Sequence, residues 1–174
     1  WDALETINDG FAVFDSAKRL VSANAAWIGQ LDSRLVAPGC PYGDIIRHSA
    51  ETVLDLGGEA PADFVARMLA RIEGDLIEPV TVKLRNGSWV KVQERRARDG
   101  DLVCLAIDIT EQMRIWAAID VLPDGFVLFD REERLLACNQ RYRDMFPDSA
   151  AMAQPGVTFE DLLRHGLMNG HVPD

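Results

Sequence analysis

The stretch that decides the fold occurs twice: WDALETINDGFAVFDSAKRLVSANAAW (Trp1 to Trp27) and WAAIDVLPDGFVLFDREERLLACNQRY (Trp116 to Tyr142) align without a gap. The offset is a constant 115 residues. Identical pairs include Trp1 and Trp116, Gly10 and Gly125, Phe14 and Phe129, Asp15 and Asp130, Leu20 and Leu135, and Asn24 and Asn139. After a two-residue insertion the match resumes, with APGCPYGDIIRH ending at His48 against QPGVTFEDLLRH ending at His165. Solenoid repeats run to roughly 20 to 50 residues, so this longer period predicts two copies of one domain in tandem. The second copy stops at Asp174, where the first has reached only its middle.

Within one copy, GFAVFD (Gly10 to Asp15) is a strand of aromatic and β-branched residues bounded by turn formers. A polar turn at Ser16 to Lys18 leads into a second strand, Arg19 to Ala23, and the two form a hairpin. Asn24 stands where a helix N-cap belongs, with Trp27, Ile28 and Leu31 following at helical spacing. Tyr42 to His48 reads as a short helix carrying Ile45 and Ile46 inward. Pro61 to Glu73 reads as a longer one, opened by proline, stopped by Gly74, with Phe64, Met68 and Ile72 on one face. Three strands follow at Val80 to Leu84, Ser88 to Arg95 and Leu102 to Ile107, joined by Asn86-Gly87 and Asp99-Gly100 turns. The expectation is an α+β fold: a five-stranded antiparallel sheet with helices on one face. LVCLAI, like the strand at Gly10, is apolar on both sides, so its outer face needs a cover. The helix starting near Thr110, or the same helix of a second subunit, is the expected one.

Bulk properties narrow the function. Of 174 residues, 48% are apolar and 26% charged, an ordinary globular composition. A net charge of −10 repels phosphate backbones and anionic lipids, so neither nucleic acid nor direct membrane contact is expected. No apolar run approaches the ~20 residues a membrane span needs, and the expectation is a cytoplasmic segment, with any anchor elsewhere in a longer protein. The non-methionine start at Trp1 points the same way. Cys40, Cys104 and Cys138 have neither C-x-x-C nor metal-ligand spacing, and are expected to be reduced, mostly buried thiols. No phosphate loop, nucleophile elbow or zinc-helix motif occurs, so no catalytic residue and no metal is expected.

The element order is similar to that of the PAS domain of bacterial signalling proteins. DGFVLFD at Asp124 to Asp130 carries the resemblance, with Asn139 and Tyr142, PGVTFEDLLRHG at Pro155 to Gly166, RNGSWVKVQERRARDG at Arg85 to Gly100, and DIT at Asp108 to Thr110. It covers the first copy, 1 to 110, end to end, and the second from Trp116 to its truncation, with 111 to 121 as a linker helix. The resemblance is strongest to PAS domains that precede histidine kinase and diguanylate cyclase modules. It implies a sensory or dimerisation module, a homodimer, and an output domain, expected to be a histidine kinase, that this chain lacks. The covalent-flavin cysteine run GxNCRFLQ is absent, and the Pro61 to Glu73 helix has no haem-binding histidine, so no cofactor is expected and the ligand is an unidentified small molecule.

Pocket candidates are Phe14, Trp27, Ile46, His48, Phe64, Met68, Ile72, Val82 and Val92. The same apolar side chains also suit a filled core, and His48 also suits a helix-end histidine bonded to backbone. Asp108, Thr110, Met113 and Trp116 are the relay candidates, with Thr110 expected to cap the outgoing helix and Asp108 to set its angle. The rival reading is a ligand-free dimerisation scaffold. The half-complete second copy is expected to pair with another chain or to continue past Asp174.

Overall fold

The computed structural model describes residues 9–29 and 36–168. Trp1 and Leu31 lie outside the described residues. Two compact units are present, Trp1–Glu111 and Gln112–Asp174.

In the first unit the elements are β1 (Gly10–Phe14), β2 (Leu20–Ala23), α1 (Ala25–Ile28), α2 (Tyr42–His48), a π-helical turn (Ser49–Val53), β3 (Leu54–Asp55), α3 (Pro61–Glu73), β4 (Val80–Leu84), β5 (Trp89–Arg96) and β6 (Leu102–Asp108). Helix α4 (Thr110–Asp120) follows. The sheet runs β2-β1-β6-β5-β4-β3, every neighbouring pair antiparallel. It has six strands rather than five. The extra one, β3, is two residues long and pairs Leu54 with Leu84 at the β4 edge. Nothing so short leaves a period in the sequence. The π-helical turn leaves no mark there either, because one wide turn continues the α2 periodicity without a new signal.

The turns follow from local chemistry. Gly87 and Gly100 take φ of 90° and 91°, the left-handed region that the Asn-Gly and Asp-Gly pairs supply. Asn24 is 1% exposed and holds the sheet-to-helix turn together. Its Oδ1 accepts from the N–H of Trp27 (3.0 Å) and of Phe11 (2.9 Å), while Nδ2 donates to the Asp9 carbonyl (2.9 Å).

Two apolar clusters fill the space between sheet and helices. One gathers Phe14, Tyr42, Ile45, Ile72, Leu102 and Cys104, and the other Ala50, Leu54, Phe64, Val65, Met68, Leu84 and Val90. On the opposite sheet face Phe11, Val13, Val103, Leu105 and Ile107 are half-buried. No residue of α4 is buried. Of the three free thiols only Cys104 is fully buried, and Cys40 and Cys138 are half-buried.

The second unit holds β7 (Val127–Phe129), β8 (Leu135–Cys138), α5 (Gln140–Met145), α6 (Pro147–Ala150) and α7 (Phe159–Met168), with a small core of Leu135, Ala153 and Leu162. Its β7–β8 hairpin is a two-stranded sheet. The repeat is structural as well as textual. Asn139 shares the Asn24 backbone angles, φ −82° and ψ 169°, and its Oδ1 accepts from Tyr142 (2.9 Å) and Phe126 (2.8 Å). The edge-to-face pair Phe14–Tyr42, at 5.1 Å and 83°, recurs as Phe129–Phe159 at 5.3 Å and 83°.

Candidate functional site

An apolar cavity of about 90 Å³ lies in the first unit between the inner sheet face and the helices. Trp27 and Ile46 line it from the α1 and α2 side, Phe64 and Met68 from α3, and Val82 and Val92 from the sheet. These six of the pocket candidates come together around one space, which is therefore not completely filled. Phe14 and Ile72 do not reach it: both are fully buried in the cluster around Tyr42, where edge-to-face packing on the Tyr42 ring holds Phe14. His48 does not line it either. Its Nε2 lies 3.2 Å from the Thr52 hydroxyl, which also donates to the His48 carbonyl at 2.7 Å, so the ring is engaged one turn along the π-helical segment.

The cavity wall contains one charged group, Glu94, which is 2% exposed. Its position follows from strand alternation, with Val90, Val92 and Glu94 facing inward along β5. Burying a carboxylate is costly unless it is paired and hydrogen-bonded. Here Oε1 accepts the Tyr42 hydroxyl proton at 2.7 Å, and Oε2 is bonded to Nη2 of Arg71. Cys104 stands opposite Glu94 across the β5–β6 ladder. Burial first, and the adjacent Glu94 charge second, push both the Tyr42 phenol and the Cys104 thiol well above their ordinary ranges. Both stay protonated, and the Tyr42 hydroxyl donates to Glu94. Two buried donors lack a partner among the described residues: the Trp27 indole Nε1–H and Arg71 Nε–H.

Sequence reasoning did not find this polar group, although its signal is present. Glu94 falls on the inward side of the β5 alternation, and Arg71 is seven residues after Phe64 on the apolar stripe of α3.

The residues expected to act as a relay begin one position from the cavity. Val90 lines it, and the neighbouring Trp89 donates its N–H to Thr110 Oγ1 at 2.9 Å and accepts from the Ile109 N–H at 2.9 Å. The cap itself is Asp108, whose Oδ1 accepts from the Thr110 N–H at 2.8 Å. The two roles differ from the sequence reading: the carboxylate caps and the hydroxyl anchors the helix start to β5. An aspartate two residues before that amide closes a local turn more readily than a hydroxyl on the first helical residue. In the second unit Met113 is half-buried and Trp116 packs edge-on against Phe126, ring centroids 6.4 Å apart.

No described helix is long and apolar enough to cross a membrane. The family model described as the PAS fold matches residues 4–116 and again 119–174. A curated relative, the non-motile and phage-resistance protein of Caulobacter vibrioides, is 27% identical over 111 residues, 63% of this chain and 12% of that protein. The chain thus matches only a small part of that relative. Among solved structures, a domain of a sensory box sensor histidine kinase/response regulator from Geobacter sulfurreducens is 23% identical. That match covers 62% of this chain and 89% of that one, with a TM-score of 0.36. The Cronobacter turicensis RpfR quorum-sensing receptor PAS domain, in complex with BDSF, is 13% identical over 60% of this chain and 96% of that one, with a TM-score of 0.40. With the family matching both copies, the curled antiparallel sheet and the overlying helices, this chain belongs to the PAS fold family of sensory domains in signalling proteins.

Proposed function

We propose that the first unit senses a small molecule in the cavity beside Glu94 and relays occupancy through α4 to an output domain, a histidine kinase in our reading, elsewhere in a homodimeric cytoplasmic protein. No cofactor, metal or catalytic group takes part. One observation carries the reading: β5 is both cavity wall, through Val90, and anchor of α4, through the Trp89 N–H to Thr110 Oγ1 bond. A ligand that spreads the wall moves the strand holding the first residue of the helix. Only a differential affinity for two positions of that helix is needed to shift its equilibrium. A ligand-free scaffold has no use for a cavity edged by a buried carboxylate, which favours sensing.

Native mass spectrometry of the chain reads oligomer mass and retained small molecules together. The expected result is a dimer carrying one small ligand per chain. A monomer overturns the homodimer. Absence of added mass, together with Val90 and Thr110 amide resonances unmoved by millimolar 1-butanol, overturns sensing.

A further inference from the structure

We infer that the ligand is a small neutral alcohol, held by its hydroxyl between the Trp27 indole N–H and the Glu94 carboxylate. This rests on the reading of the cavity as the sensory site and deepens it. The cavity wall is apolar except at Trp27, Ser49 and Glu94. The Ser49 hydroxyl is committed, donating to the Ile45 carbonyl at 2.8 Å. The Trp27 N–H is buried and has no acceptor among the described residues, an arrangement that costs stability unless something else supplies one. A ligand therefore brings an acceptor.

Glu94 decides what kind. Each of its oxygens receives one protein hydrogen bond, from Tyr42 on one side and Arg71 on the other, and a carboxylate oxygen offers two lone pairs. Arg71 does not line the cavity, so the only charge facing the ligand is negative. An anionic headgroup is repelled at short range in a medium of low dielectric constant. A hydroxyl meets both demands, accepting from Trp27 and donating to Glu94, whereas a carbonyl meets one and a carboxylate meets one while being repelled. Volume sets the size of the apolar body. The cavity of about 90 Å³ is smaller than the ~150 Å³ apolar cavity that holds benzene, so a chain of about four carbons is the fit.

The second copy lacks these groups. At the positions of Trp27, Tyr42 and Ser49 it has Tyr142, Phe159 and Gly166, so the phenol that fixes Glu94 has no counterpart there. The polar arrangement is a property of the first unit and not of the shared fold.

The test titrates the whole chain, labelled with ¹⁵N, against 1-butanol, 1-chlorobutane and butanoate, following the Trp27 indole resonance. Expected are saturable millimolar binding of 1-butanol with a shift of that resonance and about thirtyfold weaker binding of 1-chlorobutane, which forgoes both hydrogen bonds of the hydroxyl. Butanoate is expected to bind more weakly still. Trp27→Phe should reduce the preference for the alcohol over the chloride several-fold, the bond to Glu94 remaining. Glu94→Gln, should it fold, brings butanoate closer to 1-butanol. Equal affinity for 1-butanol and 1-chlorobutane overturns the hydroxyl inference and leaves the cavity reading standing, as does preference for butanoate. Binding of none of the three overturns both.

Discussion

Asn24→Ala tests the local logic on which both copies are built. The side chain is 1% exposed and serves three backbone groups, the N–H of Trp27 and Phe11 and the carbonyl of Asp9. Loss of the N-cap costs about 1 kcal/mol. The bonds to β1 and its approach add about 1 kcal/mol each, because the backbone groups stay where little water reaches them. The expected loss is therefore about 3 kcal/mol, or roughly two powers of ten in amide protection if the sheet opens as a unit. Amide hydrogen exchange in the whole chain reads it site by site, with the β1, β2 and β6 amides as reporters. Asn24→Asp keeps the accepting oxygens and loses the donor to Asp9, so its loss should be intermediate. A β1 protection loss below about 1 kcal/mol in Asn24→Ala would refute the idea that this asparagine joins sheet to helix.

Further predictions follow from the polar cluster. Arg71→Leu leaves Glu94 buried without its cation and should cost about 3 to 5 kcal/mol in urea unfolding, whereas Arg71→Leu combined with Glu94→Leu should recover most of that loss. A double-variant loss equal to the sum of the Arg71→Leu and Glu94→Leu losses would show that the pair is not energetically coupled. Tyr42 and Cys104 have folded-state affinities for their protons raised above those of the unfolded chain. The unfolded chain therefore releases these protons first as pH rises, so the stability these two groups contribute is constant below about pH 8 and falls above it, by up to about 1.4 kcal/mol per pH unit for each group. Cys104→Ala should remove the earlier part of that decline, and a stability independent of pH up to about 10.5 would contradict the assignment. An aromatic disulfide reagent should label Cys40 and Cys138 in the folded protein and Cys104 only at the rate of unfolding, since Cys104 is 0% exposed. Thr110→Ala should leave 1-butanol affinity within about twofold while shrinking the response of the α4 amides, because it removes only the bond to Trp89. An undiminished response would place the relay elsewhere.

Much of this architecture is legible because its signals are local or periodic. The strand at Val80 to Leu84, the proline and glycine bounding α3, and the Asn-Gly turn each depend on a few neighbouring residues, and the structure follows them closely. The α2 and α3 bounds coincide with the pattern read from sequence. What escapes such reading depends on contacts between distant segments. β3 is defined by its pairing with the β4 edge, and the π-helical turn joins α2 to β3. Six of the nine pocket candidates line the cavity, but periodicity tells which face a residue occupies and not how far along that face a void lies. Phe14 and Ile72 are on the correct face at the wrong end. The Tyr42, Arg71 and Glu94 cluster is hidden for another reason: charged residues in strands and helices are usually solvated, and only the inward register of Glu94 argues otherwise.

That cluster is difficult to explain by stability. A buried Arg–Glu pair generally does no better than apolar residues of similar volume, and its carboxylate requires a further donor, here a phenol. The second copy shows the simpler solution in part, with Phe159 packing on Phe129 as Tyr42 packs on Phe14 but without a hydroxyl to bind a carboxylate. The cluster makes mechanical sense as a joint. It ties α2 through Tyr42 and α3 through Arg71 to β5 through Glu94, and the same strand carries, at Trp89, the bond to Thr110. An apolar contact slides, whereas a charge-assisted bond has a small number of discrete arrangements. On the proposed relay, helices fixed in this way would transmit a displacement of the wall to the strand rather than absorb it.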